Sequence, residues 1–174
     1  MDPTLFAEDT RTAVKNALVK MFDGFISKDL GVVIGVVDVE SVKEGVIIPG
    51  DGAAYYDTTF SVLTFRPELL EVCLGRISDI TDFGAFINIG PMDGMIHVSQ
   101  TMDDYVSFSK SNVLTGKEKG RTLKVGESCR ARVVSVSFKD ISNPKIGLTM
   151  RQHRLGSLKW VEDDLKKEKK KGKK

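Results

Sequence analysis

Between Leu74 and Met150 the apolar residues come in short alternating runs, each stopped by glycine or another turn former, and no helical stripe interrupts them before Leu155. A helix needs apolar positions every three or four residues, whereas a period of two requires a strand with one buried face. The candidate strands are Leu74–Ile80, Gly84–Ile89, Gly94–Val98, Ser128–Phe138 and Lys145–Met150. Short strands in this number, with glycine at the corners, predict a closed five-stranded Greek-key barrel of the oligonucleotide-binding type. The polar stretch 101–126 is too long for a plain connection and is expected to be an insertion carrying a helix or turn.

Parity within these strands says which side chains face out. In Gly84-Ala-Phe-Ile-Asn-Ile89, residues Ala85, Ile87 and Ile89 share the interior, so Phe86 points outward with Asn88. Phe83, at the strand entrance, brings a second ring to the same surface. In Met95-Ile-His-Val-Ser99, Ile96 and Val98 turn inward while His97 and Ser99 turn outward. In Arg130-Ala-Arg-Val133, Ala131 and Val133 turn inward and both arginines outward. If the strands neighbour one another as in this fold, Phe83, Phe86, His97 and Arg132 converge on one face. Two rings, an imidazole and a guanidinium suit base stacking with phosphate contact, and Lys124, Arg130, Lys145 and Arg151 add sequence-independent charge. Singly each signal is weak: an isolated histidine is more often structural, and a barrel arginine usually faces water.

The first half reads differently. Val14, Leu18, Met21, Phe22 and Phe25 form a helical stripe opened by Thr4, or by Asp2 with Pro3, and stopped at Gly24. Strands Leu30–Val39 and Tyr55–Phe65 follow, separated by a turn-rich stretch from Glu40 to Ala54. One helix over a two-stranded hairpin is a thin core, expected to be completed either by the second domain or by another protein. The fold class is therefore α+β, with domains at 1–70 and 71–152. A short element at 153–165 and a lysine-rich end at 166–174 come next. That end is expected to be disordered and solvated, the sharper alternative being a non-specific phosphate contact.

Charge separates the halves as well. Residues 1–74 carry 6 basic against 12 acidic side chains, residues 75–151 carry 11 against 8, and residues 166–174 carry 7 against 1. Two partners of different character are expected, with a polyanion for the basic half. Cys73 and Cys129 stand alone in strand-like runs, and with only His97 and His153 as companions they make a zinc site improbable. They read as reduced, buried thiols of a cytoplasmic protein. No apolar run is long enough to span a membrane, and the acidic N-terminus does not resemble a secretory signal. The neighbouring Asp103 and Asp104 would face opposite ways in a strand, so a metal pair is not expected there, and no nucleophile–base pattern is visible. Neither a cofactor nor a small-molecule substrate is implied.

Four blocks in order carry a family resemblance: Gly75-Arg-Ile-Ser-Asp-Ile-Thr-Asp-Phe-Gly-Ala-Phe-Ile87, Gly94-Met-Ile-His-Val-Ser-Gln100, Val125-Gly-Glu-Ser-Cys-Arg-Ala-Arg-Val-Val134 and Ile146-Gly-Leu-Thr-Met-Arg151. Together they resemble the S1-type RNA-binding domain. That family's RNA-facing aromatics fall on Phe83 and Phe86, its histidine on His97 and its strand-four basic residue on Arg132. Lys28-Asp-Leu-Gly-Val-Val-Ile34, Ile48-Pro-Gly-Asp-Gly-Ala-Ala-Tyr55, Leu63-Thr-Phe-Arg-Pro67 and Met102-Asp-Asp-Tyr105 resemble the E-prime subunit of archaeal RNA polymerase, the counterpart of the seventh subunit of eukaryotic RNA polymerase II. Leu148-Thr-Met-Arg-Gln152 and Leu155-Gly-Ser-Leu-Lys-Trp160 agree with that resemblance. Members of that family usually open with a further strand, and Met1 falls about where that strand would end.

The resemblance implies a truncated ribonucleoprotein-like first domain and a non-catalytic stalk subunit. Its loop Ile48, Pro49, Gly50, Asp51, Gly52, Ala53, Ala54 and Tyr55 would dock on the polymerase core, beside a small helical stalk partner known in archaea as F. The barrel would meet single-stranded RNA leaving the enzyme. The residues themselves fit such a plug, because Gly50 and Gly52 permit tight turns while Ile47, Ile48 and Tyr55 supply apolar surface. A plain hairpin loop is the alternative there. The competing function is an RNA-binding adaptor of an RNA-degrading complex or a translation factor, which also use this barrel; Ile48–Tyr55 and Met102–Tyr105 do not belong to the generic barrel.

Overall fold

The computed structural model describes residues 9–50, 53–109, 111–141 and 144–171. The chain divides into two units, Met1–Arg66 and Pro67–Lys174. That boundary lies a few residues before the one at 70 read from sequence. The reason is that Leu70 donates to Val133 O at 2.8 Å and Glu71 O accepts from Val133 N at 2.9 Å, which ties both residues to the second unit.

In the first unit, α1 (Thr10–Phe22) is capped by Asp9, whose carboxylate accepts from Thr12 N at 3.3 Å. The expected openers Asp2, Pro3 and Thr4 lie outside the described residues. Asp23 closes the helix, and Gly24 follows at φ 67°, a left-handed turn that glycine makes without strain. Val14 is buried and Leu18 half-buried, and Phe22 packs on Phe60 with ring centroids 5.2 Å apart. Met21 and Phe25, counted in the apolar stripe, are exposed.

The hairpin is longer than its sequence pattern. A short strand, β1 (Ile26–Ser27), pairs with β2 (Gly31–Ile47), which pairs in turn with β3 (Ala54–Phe65). The stretch expected to be turn-rich from Glu40 onward is strand as far as Ile47. Four register shifts break the pairing, and at each one the two strands advance unequally, so the period of two restarts and disappears from the sequence. The polar residues there face solvent and pair across the hairpin: Ser61 Oγ donates to Glu40, and Lys43 meets Asp57 at 2.6 Å. Val32, Val33 and Val39 form the small core with Ala13 and Val14, while Ile34, Val37 and Leu63 stay exposed. Ala54 is buried separately, at the tip of the hairpin opposite Ile47.

The second unit holds the barrel: β4 (Val72–Ile80), β5 (Gly84–Asn88), β6 (Asp93–His97), β10 (Ser128–Ser137) and β11 (Lys145–Thr149). The strand order β11-β6-β5-β4-β10, closed by β10–β11 pairing, leaves the barrel no free edge. Its interior is Ile77, Ile80, Ala85, Ile87, Ile96, Ala131, Val133, Ile146 and Leu148, each 2 % exposed or less. Gly94 stands where a Cβ would come within 2.0 Å of Leu148 Cδ1, so any larger residue there would force the buried Leu148 side chain to move.

The insertion is a sheet rather than the expected helix or turn. After α2 (Val98–Thr101), three strands of three or four residues, β7 (Val106–Ser109), β8 (Val113–Gly116) and β9 (Thr122–Lys124), pair over Leu114 and Leu123. Runs so short show no readable period. Beyond the barrel, β12 (Gly156–Ser157) pairs with Cys129 and Arg130. Then α3 runs from Leu158 to Lys171 and buries Trp160 and Val161. The lysine-rich end, read as disordered from 166, is helical through Lys171. Lysine is a good helix former, and the preceding turns are anchored by Trp160 and by the Arg121–Asp164 pair at 2.7 Å. Residues 172–174 lie outside the described part. Among the described residues, no helix is long and apolar enough to cross a membrane.

Candidate nucleic-acid interface

Strand β5 builds the site by parity. Ala85 and Ile87 are fully buried, which turns Phe86 to the outer wall, where it is half-buried. The turn before it is held by Thr81, whose N–H donates to Gly84 O at 2.8 Å. This places Phe83, 47 % exposed, edge-on to Phe86 with ring centroids 6.0 Å apart. Phe83 O also accepts from Val98 N at 2.8 Å, fixing the start of α2 beside the two rings.

His97 sits opposite Gly84 in the β5–β6 pair. A Cβ at Gly84 would lie 2.2 Å from Ile96 O, so glycine alone lets the two strands approach this closely. The imidazole caps α2: Nδ1 accepts from Ser99 N at 3.3 Å and lies 2.8 Å from Ser99 Oγ. With Nδ1 accepting, the neutral ring carries its proton on Nε2, a donor for a phosphate oxygen or a base acceptor.

Phe86, Met95, His97, Gln100 and Lys145 line one groove of about 670 Å³, floored by Gly94 and Gly147. That volume is in the range that seats small organic groups such as a base. Lys145 is exposed, and Asp93 supplies one carboxylate, held by Asn88 Nδ2 at 2.9 Å.

The structure thus gathers Phe83, Phe86, His97 and Lys145. Arg132 does not join them. It is not among the residues that line the groove, and it stands opposite Val72 on β4 and Thr149 on β11. Arg132 is half-buried, and its Nε is buried without a hydrogen-bond partner among the described residues. Arg130 is half-buried between Leu74 and Gly156, and Lys124 is exposed at the end of β9, opposite Val113. Arg151 is exposed and paired with Asp103 at 3.3 Å. Met95 and Gln100 were missed in the sequence; Met95 shares the parity of His97 and was findable by the same rule.

The acidic pair beyond α2 is committed to structure. Asp104 accepts from Glu118 N at 3.0 Å and Lys119 N at 2.8 Å, and the Lys119 bond foremost holds its carboxyl below the usual range. Asp103, lowered first by Lys119 and then by Arg151, bridges those two cations. Among the described residues, no cluster of acidic, histidine or cysteine side chains could hold a metal ion.

In the first unit the tip of the hairpin is apolar and open: Val46, Ile47, Ile48 and Tyr55 are each about half exposed or more. Pro49 and Gly50 are exposed, Gly50 at φ 90°, whereas Ala53 is half-buried and Ala54 buried. Asp51 and Gly52 lie outside the described residues.

Comparison with known proteins agrees with this division. Residues 66–140 match the S1 RNA binding domain, and residues 1–52 match the SHS2 domain found in the N terminus of Rpb7p/Rpc25p/MJ0397. The chain is 34% identical to DNA-directed RNA polymerase subunit Rpo7 of Sulfolobus acidocaldarius over 166 residues, 95% of this chain and 91% of that protein. The Saccharolobus solfataricus Rpo7 is 35% identical over 91% of this chain and 89% of its own length. DNA-directed RNA polymerase III subunit RPC8 of Saccharomyces cerevisiae is 33% identical over 58% of this chain and 47% of its own. With an SHS2 unit, an S1 barrel and likeness to Rpo7 along nearly its full length, this chain belongs to the Rpo7/Rpb7 family of DNA-directed RNA polymerase subunits.

Proposed function

We infer that this polymerase subunit is non-catalytic, that its hairpin tip docks on the polymerase core beside a small helical partner, and that its barrel holds single-stranded RNA emerging from the enzyme. The observation that carries the RNA reading is the groove shared by Phe86, His97 and Lys145, with Phe83 edge-on beside it. Flat rings stack on any base, a lysine at the rim attracts phosphate, and Nε2 of His97 donates a hydrogen bond, so the groove favours RNA without selecting its sequence. The docking reading draws on the exposed Val46, Ile47, Ile48 and Tyr55, apolar surface that water does not favour.

Phe86→Ala combined with His97→Ala tests the groove. Both side chains sit on the outer wall, so the fold should persist while affinity for single-stranded RNA falls by about 1–3 kcal/mol for each stacked base lost. Fluorescence anisotropy at low salt measures it. An unchanged dissociation constant in a protein with an unchanged melting curve would sink the reading.

A further inference from the structure

A second depression lies next to His97 in the chain, lined by residues of α2 and the insertion. Ser99, which the imidazole contacts, lines it with Tyr105, 76 % exposed, where Lys119 and Arg151 stand against Asp103, Asp104 and Glu118. Asp104 is occupied by the Glu118 and Lys119 backbone N–H groups. Lys119 and Arg151 line this depression and also a deeper cleft of about 580 Å³. The cleft lies between the insertion, the turn after β11 and helix α3. Its walls carry Lys119, Arg121, Arg151, Arg154 and Lys167 against two carboxylates, Asp103 and Asp164.

These acids do not cancel the cations. Asp164 is taken up by Arg121, which grips both its oxygens at 2.7 Å and lies 5.6 Å from the centre of the Trp160 ring. Asp103 is shared between Lys119 and Arg151. Arg154 and His153 reach Glu168 across 3.4 and 3.5 Å, in pairs exposed to solvent that hold weakly and yield to a better anion. Arg154 is also held at φ 61°, a conformation rare for any residue but glycine and concentrated where a side chain must be aimed.

We propose that this cleft is a second anion site, which takes the phosphodiester backbone of the same RNA strand after it leaves the barrel groove. The inference rests on the groove reading for the strand's first segment. The strand would pass from Phe86 and His97 over Tyr105, a further stacking surface, and lay its phosphates along Arg151, Lys119, Arg154 and Lys167. Contacts of this kind are sequence-independent and appear in the salt dependence of binding.

The test uses the full chain and two single-stranded RNAs, one of about 6 and one of about 16 nucleotides, within the range a barrel of this type accommodates. Arg154→Ala with Lys167→Ala removes two exposed cations. For the longer strand the slope of log affinity against log salt should shrink by about 1.4, at about 0.7 per lost phosphate contact. The short strand, filling the barrel groove, should keep its affinity. Asp103→Asn, which removes a competing carboxylate, should tighten the longer strand only. Equal weakening of both strands, or an unchanged slope for the longer one, overturns the second site. Failure of the barrel groove would appear elsewhere, as indifference of the short strand to Phe86→Ala with His97→Ala.

Discussion

Cys129 illustrates what enclosure in the barrel does to one side chain. It has no solvent exposure, and burial raises its thiol to about 12. Cys73, half-buried with Sγ 3.5 Å from Ala131 O, is raised for the same reason. Only the thiolate attacks, so a shift from 9.0 to about 12 lowers the reactive fraction of Cys129 roughly a thousandfold. A thiol reagent at pH 8 should therefore leave Cys129 unmodified in the native chain, modify Cys73 slowly, and modify both in denaturant. Rapid native labelling of Cys129, read by peptide mass, would contradict a closed barrel. The inward or outward direction of Phe86 and His97 was legible in the sequence for a related reason. Direction is set by the parity of each residue's own strand, a property of a few neighbours. The position of Arg132 was not legible. It depends on how far β10 is staggered against β4 and β11, and stagger is a property of the closed barrel that no single strand carries.

At the level of elements, regularity decided what could be read. The barrel strands were found to within two residues because each carries at least one run of alternation against one shared core, even where β4 and β10 are bulged at Ile77/Asp79 and Val133/Ser135. Strand β2 keeps its pairing through repeated bulges but loses its period, so Glu40, Lys43 and Glu44 read as turn although they lie on a strand. The insertion hid for the opposite reason, since its strands are too short to have a period. What holds it is partly a carboxylate. Asp104 closes the turn at Glu118 and Lys119 by accepting two backbone N–H bonds, and these hold its folded pKa below the ordinary 3.8. A carboxylate depressed in this way contributes stability above its unfolded pKa, and the contribution is lost as pH falls through the lower folded value. Amide shifts of Glu118 and Lys119 should titrate with a midpoint below 3.8, and Asp104→Asn should abolish that titration. A midpoint at or above 3.8 would mean that the turn does not depend on the charge.

Taken whole, the molecule joins two units that differ in charge and in completeness. The barrel unit buries most of the core and closes its own sheet, whereas the first unit rests on one helix over a bulged hairpin and leaves apolar residues open at its tip. The first unit is acidic with an apolar tip and the second is basic with stacking rings, and that difference supports the proposed protein partner for one and RNA for the other. This separation makes the docking reading testable apart from the RNA reading. Ile47 and Ile48 are 67 % and 50 % exposed, so replacing both with Asp should leave the isolated chain folded. If the tip is buried on docking, each side chain removed costs about 1.5–3 kcal/mol of binding, and the pair together weakens association with the polymerase at least about a hundredfold. Tagged chain purified from its own cells should then recover the core subunits with the native tip and lose them with the Ile47→Asp, Ile48→Asp variant, while affinity for a short single-stranded RNA is unchanged. Full recovery of the core by the variant would place the docking surface elsewhere on the chain. A parallel loss of RNA affinity would show that the two units do not work independently.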